Sequence, residues 1–414
     1  MKGIKINLLL VGVLLSALVW VGCEKETSQE ENISVEVTSE KVSPFGVFKS
    51  VPIEGKYIVE FTDDFGNSFV DHNVNFKQGI IELKNRVVKD FPKLELSTDG
   101  ITHAYGNSIK GFAATLSVEQ YELLIADKRI KYIEQDHMII MVKPDKPGKP
   151  GNGGDDGEEV GQSTPYGIIR VGGISDGTGL RAWIIDSGID MDHPDLNVDQ
   201  NLSVSFLSGG PQASNPNDQN GHGTHVAGTI AAKNNNIGVV GVAADATVVA
   251  VRVLDRKGSG SWSGVIAGIN YVGANGVSGD VANMSLGGGV SVSVDNAVSA
   301  ASSNVKFSIA AGNSNTYANN SSPARVNGGN IYTVSAMDSG DDWASFSNYG
   351  NPPVDYCAPG VAIHSTWKNG GYNTISGTSM AAPHVAGILL LGGISTDGTV
   401  NGDPDGNPDP IAHN

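Results

Sequence analysis

Residues 56–142 carry apolar residues in two distinct periods. The segments KYIVEFT, GFAATLS and IKYIEQDHMIIMV have the apolar content and spacing of β-strands. The segments IIELKNRVVKDF and SVEQYELLIAD carry apolar residues at helical spacing instead, and Ser117 stands where a helix N-cap is expected. This pattern predicts a small α+β unit over residues 56–142.

From about residue 163 the apolar runs become short and continuous, and Gly-rich turns and Ala-rich helical segments separate them. The runs and helical segments are GLRAWIID, THVAGTIAA, TVVAVRVLD, SGVIAGINYVGAN, VANMSLGG, VDNAVSAASSN, KFSIAAGN and IYTVSAM. Continuous apolar strands that alternate with helices predict an α/β fold, a parallel sheet with helices on both faces. Functional groups of such sheets collect at the carboxyl ends of the strands.

Two polar segments flank the α+β unit. Residues 24–55 begin with the Glu-rich run EKETSQEENISVEVTSE and predict a flexible tether. Residues 143–162 are rich in Pro, Gly and charge and predict an exposed linker that a protease can cut. The expected organisation is a signal at 1–23, a tether at 24–55, the α+β unit at 56–142, a linker at 143–162, and an α/β domain at 163–414 with a short acidic tail.

The N-terminus has the pattern of an export signal. The basic MKGIKI precedes the apolar NLLLVGVLLSALVWVG, which is too short and wrongly flanked for a membrane span, and Cys23 follows. The segment resembles a bacterial lipoprotein signal, which implies a lipidated Cys23 at the cell envelope. Trp20 stands where that family usually has Leu, so an ordinary signal peptide is the alternative.

The composition of the chain limits its possible binding partners and disulfide bonds. The formal net charge is −17, which argues against nucleic acid. The chain has two Cys residues, so lipidation of Cys23 would leave Cys357 without a partner for an intramolecular disulfide. We expect Cys357, in VDYCAPG, to be a small buried residue.

Three Gly-rich turns carry an acid, a base and a nucleophile. Asp186 ends the buried run AWIID, His222 opens the helical segment of NGHGTHVAGTIAA, and Ser379 lies in ISGTSMAAPHVAG. Taken singly, they have plain structural interpretations as a capping Asp, a helix-start His and an N-cap Ser. Taken together, Asp186 would orient His222, and His222 would deprotonate Ser379.

The order Asp, His, Ser in the blocks DSGID, GHGTHVAG and SGTSMAAPHVAG resembles the subtilisin-like serine proteases. SFSNYG and DYCAPGVAIHSTW bring the chain nearer to the proteinase K branch of that family. Residues 111–136, from GFAATLS to YIEQD, resemble the family's inhibitor-type propeptide. The resemblance implies a subtilisin-like fold from about 163 to 390, preceded by a propeptide that assists folding and then inhibits.

The resemblance also implies the rest of the active site. Asn313 matches the Asn that stabilises the oxyanion, with a turn Asn as the structural alternative. Two backbone segments would sandwich an extended peptide substrate, and small apolar walls would favour apolar or aromatic P1 side chains. These substrate-binding residues are Gly258, Ser259, Gly260, Ser285, Leu286, Gly287, Ala311 and Gly312, with Ala310 also in the wall.

No cofactor is expected for the chemistry, while the resemblance points to a structural Ca²⁺ at Asp355, with a turn-capping role of Asp355 as the alternative. Asp355 matches a calcium carboxylate of proteinase K-like enzymes, and the carbonyls of Gly329 and Ile331 would be its partners by that likeness. His225 and His384 are expected to be structural, because their spacing does not fit a zinc motif. The alternating Asp403, Asp405, Asn407 and Asp409 of the tail form only a weak cation-binding pattern.

The resulting hypothesis is an exported serine endopeptidase made as a self-inhibited zymogen. Its partners would be protein and peptide substrates, its own propeptide, and a membrane through the lipid anchor until processing releases it. The alternatives are an inactive surface binding module, a narrow-specificity processing protease and a serine esterase. Only 35 residues follow Ser379, fewer than the family normally has, which leaves the completeness of the core open.

Overall fold

The computed structural model describes residues 46–68, 75–142, 161–210 and 212–414. In chain order its elements are β1 (Val47–Phe61), α1 (Asp63–Asn67), α2 (Phe76–Asp90), a 3₁₀ turn (Pro92–Leu94), β2 (Ile101–Tyr105), β3 (Gly111–Thr115), α3 (Val118–Ile125), β4 (Ile130–Val142), α4 (Tyr166–Arg170), β5 (Ser175–Asp176), β6 (Arg181–Asp186), β7 (Asn197–Val198), β8 (Val204–Ser205), α5 (His222–Ala231), β9 (Ala243–Ala244), β10 (Thr247–Arg252), β11 (Ser259–Ser261), α6 (Trp262–Asn275), β12 (Val281–Met284), α7 (Val292–Ala301), β13 (Lys306–Ala310), a second 3₁₀ turn (Ala318–Asn320), β14 (Ile331–Met337), β15 (Val354–Pro359), β16 (Ile363–Trp367), β17 (Gly371–Ile375), α8 (Thr378–Leu390), β18 (Ser395–Thr399) and β19 (Pro410–His413).

The large sheet runs in the order β18-β19-β15-β14-β13-β12-β6-β10-β7. Its pairings from β7 to β19 are parallel, and β18 joins antiparallel. Side chains of β6 alternate between two cores: Trp183 packs in the one containing α6 and α7, and Ile184 packs in the one containing α5 and α8. Both faces are therefore covered, as the continuous apolar strands predicted.

The α+β unit forms a second sheet in the order β11-β4-β1-β3-β2. Helices α2 and α3 supply Val87 and Leu124 to its own core, together with Phe61 and Phe112 from the strands. Ser117 caps α3 as expected, in a capping box with Gln120. The edge strand β11 belongs to the α/β domain, so one sheet spans both units.

Strand β1 includes residues that the sequence assigned to the tether. Strand β1 begins at Val47, and its first residues pair with β4 up to Pro52. The ladder then shifts register before Tyr57, and Gly55 has φ +68° within that irregularity. Pro and Gly suggest a boundary in the sequence, but here they mark a β-bulge inside one long strand.

The short acidic tail also folds. Strand β19 adds to the sheet beside β15, and the buried Asp409 accepts a hydrogen bond from Ser335 Oγ on β14. Asn414 donates from its backbone N–H to the carbonyl of Val171. The residues after α8 thus extend the large sheet at its β15 edge.

Two carboxylates of β4 dock the α+β unit on helix N-termini of the α/β domain. Asp136 accepts hydrogen bonds from the N–H and Oγ of Ser263 in the first turn of α6, and Glu134 accepts from the N–H of Ser293 in the first turn of α7. Such contacts satisfy N–H groups that a helix leaves unpaired, and they favour negative charge. Lys56 adds an ion pair to Asp136, with its Nζ 3.3 Å from Oδ2.

A third docking contact lies further along α6. The side-chain oxygen of Asn270 accepts hydrogen bonds from the backbone N–H groups of Gly106, Asn107 and Ser108 in the turn before β3. Asn270 is fully buried. The polar groups of this interface therefore fix the position of β4 along the α/β domain.

Candidate active site

Asp186 and His222 form a buried pair at the carboxyl edge of the large sheet. Asp186 is the last residue of β6, and Nδ1 of His222 lies 2.8 Å from its Oδ1 and 3.0 Å from its Oδ2. The N–H of Ser187 donates to the same Oδ1. Both side chains of the pair are 0% exposed, so the carboxylate fixes the ring orientation in an environment from which water is excluded.

The turn that presents His222 is organised by Asp218. This buried carboxylate accepts hydrogen bonds from Ser187 Oγ, from the N–H groups of Asn220 and Gly221, and from the N–H and Oγ1 of Thr224. Burial raises the pKa of Asp218, and these hydrogen bonds oppose that rise. The turn is therefore rigid immediately before the ring of His222.

Gly223 allows helix α5 to approach β6 closely. A Cβ built at Gly223 would lie 2.1 Å from the carbonyl oxygen of Gly188 and 3.2 Å from Cβ of Asp186. The first of these contacts is shorter than any real Cβ makes, so the close approach of α5 to β6 requires a glycine after His222.

Ser379 is the second residue of α8, and the N-cap is Gly377. The plain interpretation of Ser379 as an N-cap is thus wrong. Pro383 lies four residues further on and has no N–H to donate to the Ser379 carbonyl. The hydroxyl of Ser285 takes that role with a 2.8 Å hydrogen bond, and Ser379 Oγ in turn donates to the Ser285 carbonyl at 3.1 Å.

Asn313 is oriented by Thr378. Its Oδ1 accepts hydrogen bonds from the N–H and the Oγ1 of Thr378, which leaves Nδ2 directed into the cleft. There Nδ2 donates to the carbonyl of Gly46 at 3.2 Å. The N–H of Gly312 also donates to Thr378 Oγ1, so this threonine joins residues 312–313 to the first turn of α8.

The candidate catalytic groups converge on one point. A Cβ built on Gly46 would lie 3.4 Å from Oγ of Ser379 and 3.8 Å from Nε2 of His222. The carbonyl of the same Gly46 is the one that Asn313 contacts. The structure therefore brings Asp186, His222, Ser379 and Asn313 together around a single peptide group.

One of the two predicted substrate-binding segments pairs with an extended chain. Ser259 and Gly260 of β11 pair antiparallel with Ile140 and Ile139 of β4, and the carbonyl of Gly258 accepts from the N–H of Met141. Ile139 is buried beside Trp262 and Gly288. Strand β4 thus occupies this side of the cleft, as the sequence predicted for the last strand of the α+β unit.

The second predicted segment, residues 285–287, does not pair with β4. The free edge of β4 pairs instead with residues 47–52 of β1. Ser285 is buried under Ser379, while Leu286 and Gly287 line a pocket with Ala311 and Gly312. In this form of the molecule a strand of the chain itself lies along that edge of β4, and the expected sandwich around a substrate strand stays a prediction.

The wall of that pocket depends on Asn348. Its Nδ2 donates to the carbonyl of Ala311, and its Oδ1 accepts from the N–H groups of Ser314 and Thr316. Gly312 has φ +106°, and a Cβ there would lie 2.3 Å from Nδ2 of Asn348. Among the described residues, the pocket otherwise presents small or apolar groups and no charged side chain.

The predicted calcium residues lie at the β14–β15 pair. Oδ2 of Asp355 accepts from the N–H of Thr333, and burial raises the pKa of Asp355 to about 6. The carbonyl of Gly329 accepts from the hydroxyl of Tyr332 at 3.4 Å, and Ile331 opens β14. Within the described ranges, no cluster of three or more His, Cys, Asp or Glu side chains could hold a metal.

The two other histidines of the sequence blocks are buried and bonded to backbone. Nε2 of His225 contacts the carbonyl of Ile363, and Nδ1 of His384 contacts that of Met380. Burial lowers the pKa of His225 to about 3 and that of His384 to about 4. Both side chains serve as neutral structural groups.

Cys23 and the predicted signal lie outside the described residues. In the part of the chain that the structure describes, no helix has the length and apolar character needed to cross a bilayer. Cys357 is fully buried, as expected.

Several residues of the site were not predicted from the sequence. Asp218, Ser187, Thr378 and Asn348 act through hydrogen bonds to segments that are distant in the chain, and only the Asp-x-Asn-Gly-His run hinted at one of them. Gly46 was assigned to the tether. Residues 46–52 read GVFKSVP, which has no clear period of two and ends in Pro52, so the sequence pattern did not mark this strand.

Comparison with known proteins defines the class of molecule first. The model of the subtilase family matches residues 177–392, and the model of peptidase inhibitor I9 matches residues 56–140. A proteolytic domain is thus preceded by an inhibitor domain.

The chain belongs to the subtilase family, and it is a subtilisin-like serine protease with an inhibitor-type propeptide. It is 37% identical to the subtilisin-like serine protease AsES of Sarocladium strictum, over 87% of this chain and 90% of that protein. It is 45% identical to alkaline serine exoprotease A of Vibrio alginolyticus over 70% of this chain, and spans 53% of that protein. A solved cold adapted subtilisin-like serine proteinase is 44% identical, with a TM-score of 0.49 over 55% of this chain and 83% of its own.

Proposed function

We propose that this subtilase is an endopeptidase that cleaves peptide bonds through Asp186, His222 and Ser379. Ser379 Oγ attacks the scissile carbonyl, and Nε2 of His222 takes the hydroxyl proton and gives it to the leaving amine. Asp186 holds the imidazole in the required tautomer and stabilises its protonated form. The observation that carries the proposal is the convergence of His222 and Ser379 on one peptide group, with Nδ1 of His222 held 2.8 Å from Asp186.

The oxyanion of the tetrahedral intermediate would be stabilised by Nδ2 of Asn313 and by the backbone N–H of Ser379. The position of Ser379 in the first turn of α8 supports this role, because N–H groups there have no partner within the helix. The orientation of Asn313 by Thr378 supports it as well. A donor that is already fixed needs no reorganisation when charge develops.

Specificity follows from the pocket walls. Leu286, Gly287, Ala311 and Gly312 present apolar or backbone surface, and no charged group lines the pocket in the part of the chain that the structure describes. We expect apolar or aromatic P1 side chains. The β-strand pairing of residues 258–260 with an extended chain gives backbone affinity that tolerates many sequences.

Maturation would occur by self-cleavage near the end of β4. Val142 pairs with Val47, the residue after Gly46, so Val142 is the paired residue of β4 nearest to the catalytic groups. We place the first cut at the Val142–Lys143 bond, where the predicted linker begins. If Cys23 is lipidated, this cut would free the exported catalytic domain from the anchor.

The test compares the purified full-length protein with its Ser379→Ala variant. Propeptide release on a gel and hydrolysis of an apolar-P1 peptide anilide are measured for both, and mass spectrometry locates the new N-terminus. Release and turnover in the native chain only support a self-maturing protease. A folded native chain that neither processes itself nor turns over substrate, even after the linker is cut by another protease, would favour a binding module.

A calcium ion at Asp355 is a finer part of the proposal. The carboxylate is half-buried with a raised pKa, so a cation would remove the cost of its ionisation. Asp355 and the carbonyls of Gly329 and Ile331 would supply hard oxygen ligands for a structural site. Thermal melts of the Ser379→Ala chain with Ca²⁺ and with a chelator, repeated for Asp355→Asn, test this, because only the unchanged Asp355 should give a higher Tm with Ca²⁺.

A further inference from the structure

Residues 46–52, here termed the arm, reach the catalytic groups from the side opposite to β11. The arm is the first part of β1 and pairs with β4, from Val47 opposite Val142 to Pro52 opposite His137. Strand β4 therefore lies between the arm and β11. The arm occupies the position next to residues 285–287 where a bound substrate strand is expected.

Alternate residues of the arm face the catalytic domain. Gly46 meets Asn313, Ser379 and His222 as described above, and Phe48 lines the pocket of Leu286 and Gly287.

Ser50 continues the same alternation. It lies against Gly289, where a Cβ would be 3.3 Å from Cβ of Ser50. The intervening Lys49 is exposed, and Val51 is 47% exposed. This period of two makes positions 46, 48 and 50 the contact face of the arm.

The arm runs in the direction opposite to a product. Strand β4 runs towards the catalytic groups and ends there at Val142, whereas the arm begins there at Gly46 and runs away, antiparallel to β4. In a bound product-like strand, the carbonyl held by Asn313 belongs to the last residue, and the leaving nitrogen lies beyond it. In the arm, the nitrogen bonded to the Gly46 carbonyl carbon belongs to Val47. This nitrogen therefore lies towards the rest of the strand, where a product strand would have no leaving group.

We propose that the arm is a second inhibitory segment, which binds the oxyanion donor with Gly46 and the specificity pocket with Phe48 in a direction that resists cleavage. This rests on the proposed function of the same site and deepens it. Since the carbonyl of Gly46 contacts Asn313, the Val142–Lys143 bond reaches Ser379 only after the arm has withdrawn. The arm thus sets the rate of the first cut.

Gly46 is suited to this position by its backbone. Its φ of +87° lies in the left-handed region, which favours glycine, and a Cβ would fill the contact with Ser379 Oγ. Phe48 adds apolar burial, as it packs against the core cluster around Trp262 and Leu286. One residue therefore gives the fit at the catalytic groups, and the other gives affinity.

The experiment measures access to position 379 directly. In a full-length Ser379→Cys chain that also carries Cys23→Ser, the rate of iodoacetamide alkylation of the introduced thiol is followed on the uncut chain by mass spectrometry. Phe48→Ala is expected to raise that rate about tenfold, because the loss of buried aromatic surface weakens binding of the arm and exposes position 379 more often. Lys49→Ala, the matched control on the exposed side of the arm, should leave it unchanged.

The same two substitutions in the Ser379 chain should accelerate the first cut for Phe48→Ala and leave it unchanged for Lys49→Ala. Equal alkylation rates for Phe48→Ala and the parent chain would overturn the proposal, as would a slower first cut in Phe48→Ala. The buried Cys357 serves as a check on folding. If Cys357 becomes reactive in Phe48→Ala, the variant Phe48→Leu replaces Phe48→Ala and must give a smaller acceleration. Alkylation needs no catalysis, so it tests the arm even if the chain proves inactive.

Discussion

Asp218 and Asp136 are both buried carboxylates, yet they hold their surroundings in different ways. Asp218 accepts five hydrogen bonds, all from residues of the catalytic domain around the His222 turn. Asp136 accepts two from Ser263 and pairs with Lys56, so its partners lie partly across the interface between propeptide and catalytic domain. The first builds a fixed site, and the second joins two parts that have to separate.

This difference between Asp218 and Asp136 explains how the candidate active site can be preorganised while the propeptide inhibits it. Breaking the contacts of Asp218 would leave several buried donors without partners, which is costly in a place that never meets water. The partners of Asp136 become hydrated when the propeptide leaves, since Ser263 then faces solvent and Lys56 leaves with the propeptide. The catalytic groups can therefore stay fixed while the inhibitor dissociates.

The largest expected effect is at Asp186. The substitution Asp186→Asn should reduce kcat by about 10⁴, because an amide cannot hold His222 in the same tautomer or stabilise the imidazolium. The turnover of an apolar-P1 anilide by the mature enzyme measures this. Asp192→Asn, an exposed carboxylate close in sequence, is the control, and a loss of less than about tenfold in Asp186→Asn would contradict the proposed mechanism.

The second test concerns the fixed carboxylate itself. In Asp218→Asn, an NH₂ group has to face donors that now bond to a carboxylate oxygen, such as the N–H and Oγ1 of Thr224. We expect the free energy of unfolding to fall by about 4 kcal/mol. Urea unfolding of the Ser379→Ala chain with and without Asp218→Asn gives the value, and a difference no larger than that of Asp192→Asn would show that the network is dispensable.

The interface carboxylate should give a smaller effect, confined to inhibition. Asp136→Asn leaves Lys56 buried without its counter-ion and weakens the contact with Ser263. The cleaved propeptide should then inhibit its catalytic domain roughly 100-fold less tightly, about 3 kcal/mol, with kcat of the free enzyme unchanged. Inhibition constants measure this against Glu122→Gln, an exposed propeptide control, and an altered kcat would break the distinction between the two carboxylates.

The sequence predicted the parts of the site that rest on local pattern. Asp186, His222 and Ser379 stand in Gly-rich turns after or before apolar segments, and parallel topology brings such turns to one edge of the sheet. Asp218 and Asn348 escaped prediction because their role depends on hydrogen bonds to residues such as Ser187 and Ala311, whose proximity exists only after folding.

The arm was not predicted from the sequence, for a different reason. Residues 46–52 read GVFKSVP, which lacks a clear period of two and ends at Pro52, so no strand is predicted there beside the polar tether. What stabilises it is pairing with β4 and the burial of Phe48, both non-local contacts. Leu286 and Gly287 line the pocket beside the arm, and the pairing of residues 285–287 with a substrate strand stays a prediction.

The acidic tail contains a third buried carboxylate, Asp409, which has fewer hydrogen-bond donors around it than Asp218 or Asp136. Asp409 is fully buried on the large sheet, and Ser335 Oγ and the neighbouring Asn351 oppose its desolvation only in part. Its pKa is raised from the ordinary 3.8 to about 6, chiefly by burial. The folded state thus binds a proton more tightly than the unfolded state, so the stability that the protonated carboxyl provides is complete below pH 4 and is lost as the pH rises through 6.

This loss is expected to reach about 2–3 kcal/mol at neutral pH in the Ser379→Ala chain. Asp409→Asn keeps an acceptor for Ser335 and has no charge to bury, so its unfolding free energy should lack this decline and exceed that of the parent at pH 8. Urea unfolding at a series of pH values from 4 to 8 measures both curves, with Asp405→Asn in the same tail as the control. Parallel curves for Asp409→Asn and its parent would mean that Asp409 ionises without cost, and that the number of donors does not separate these buried carboxylates.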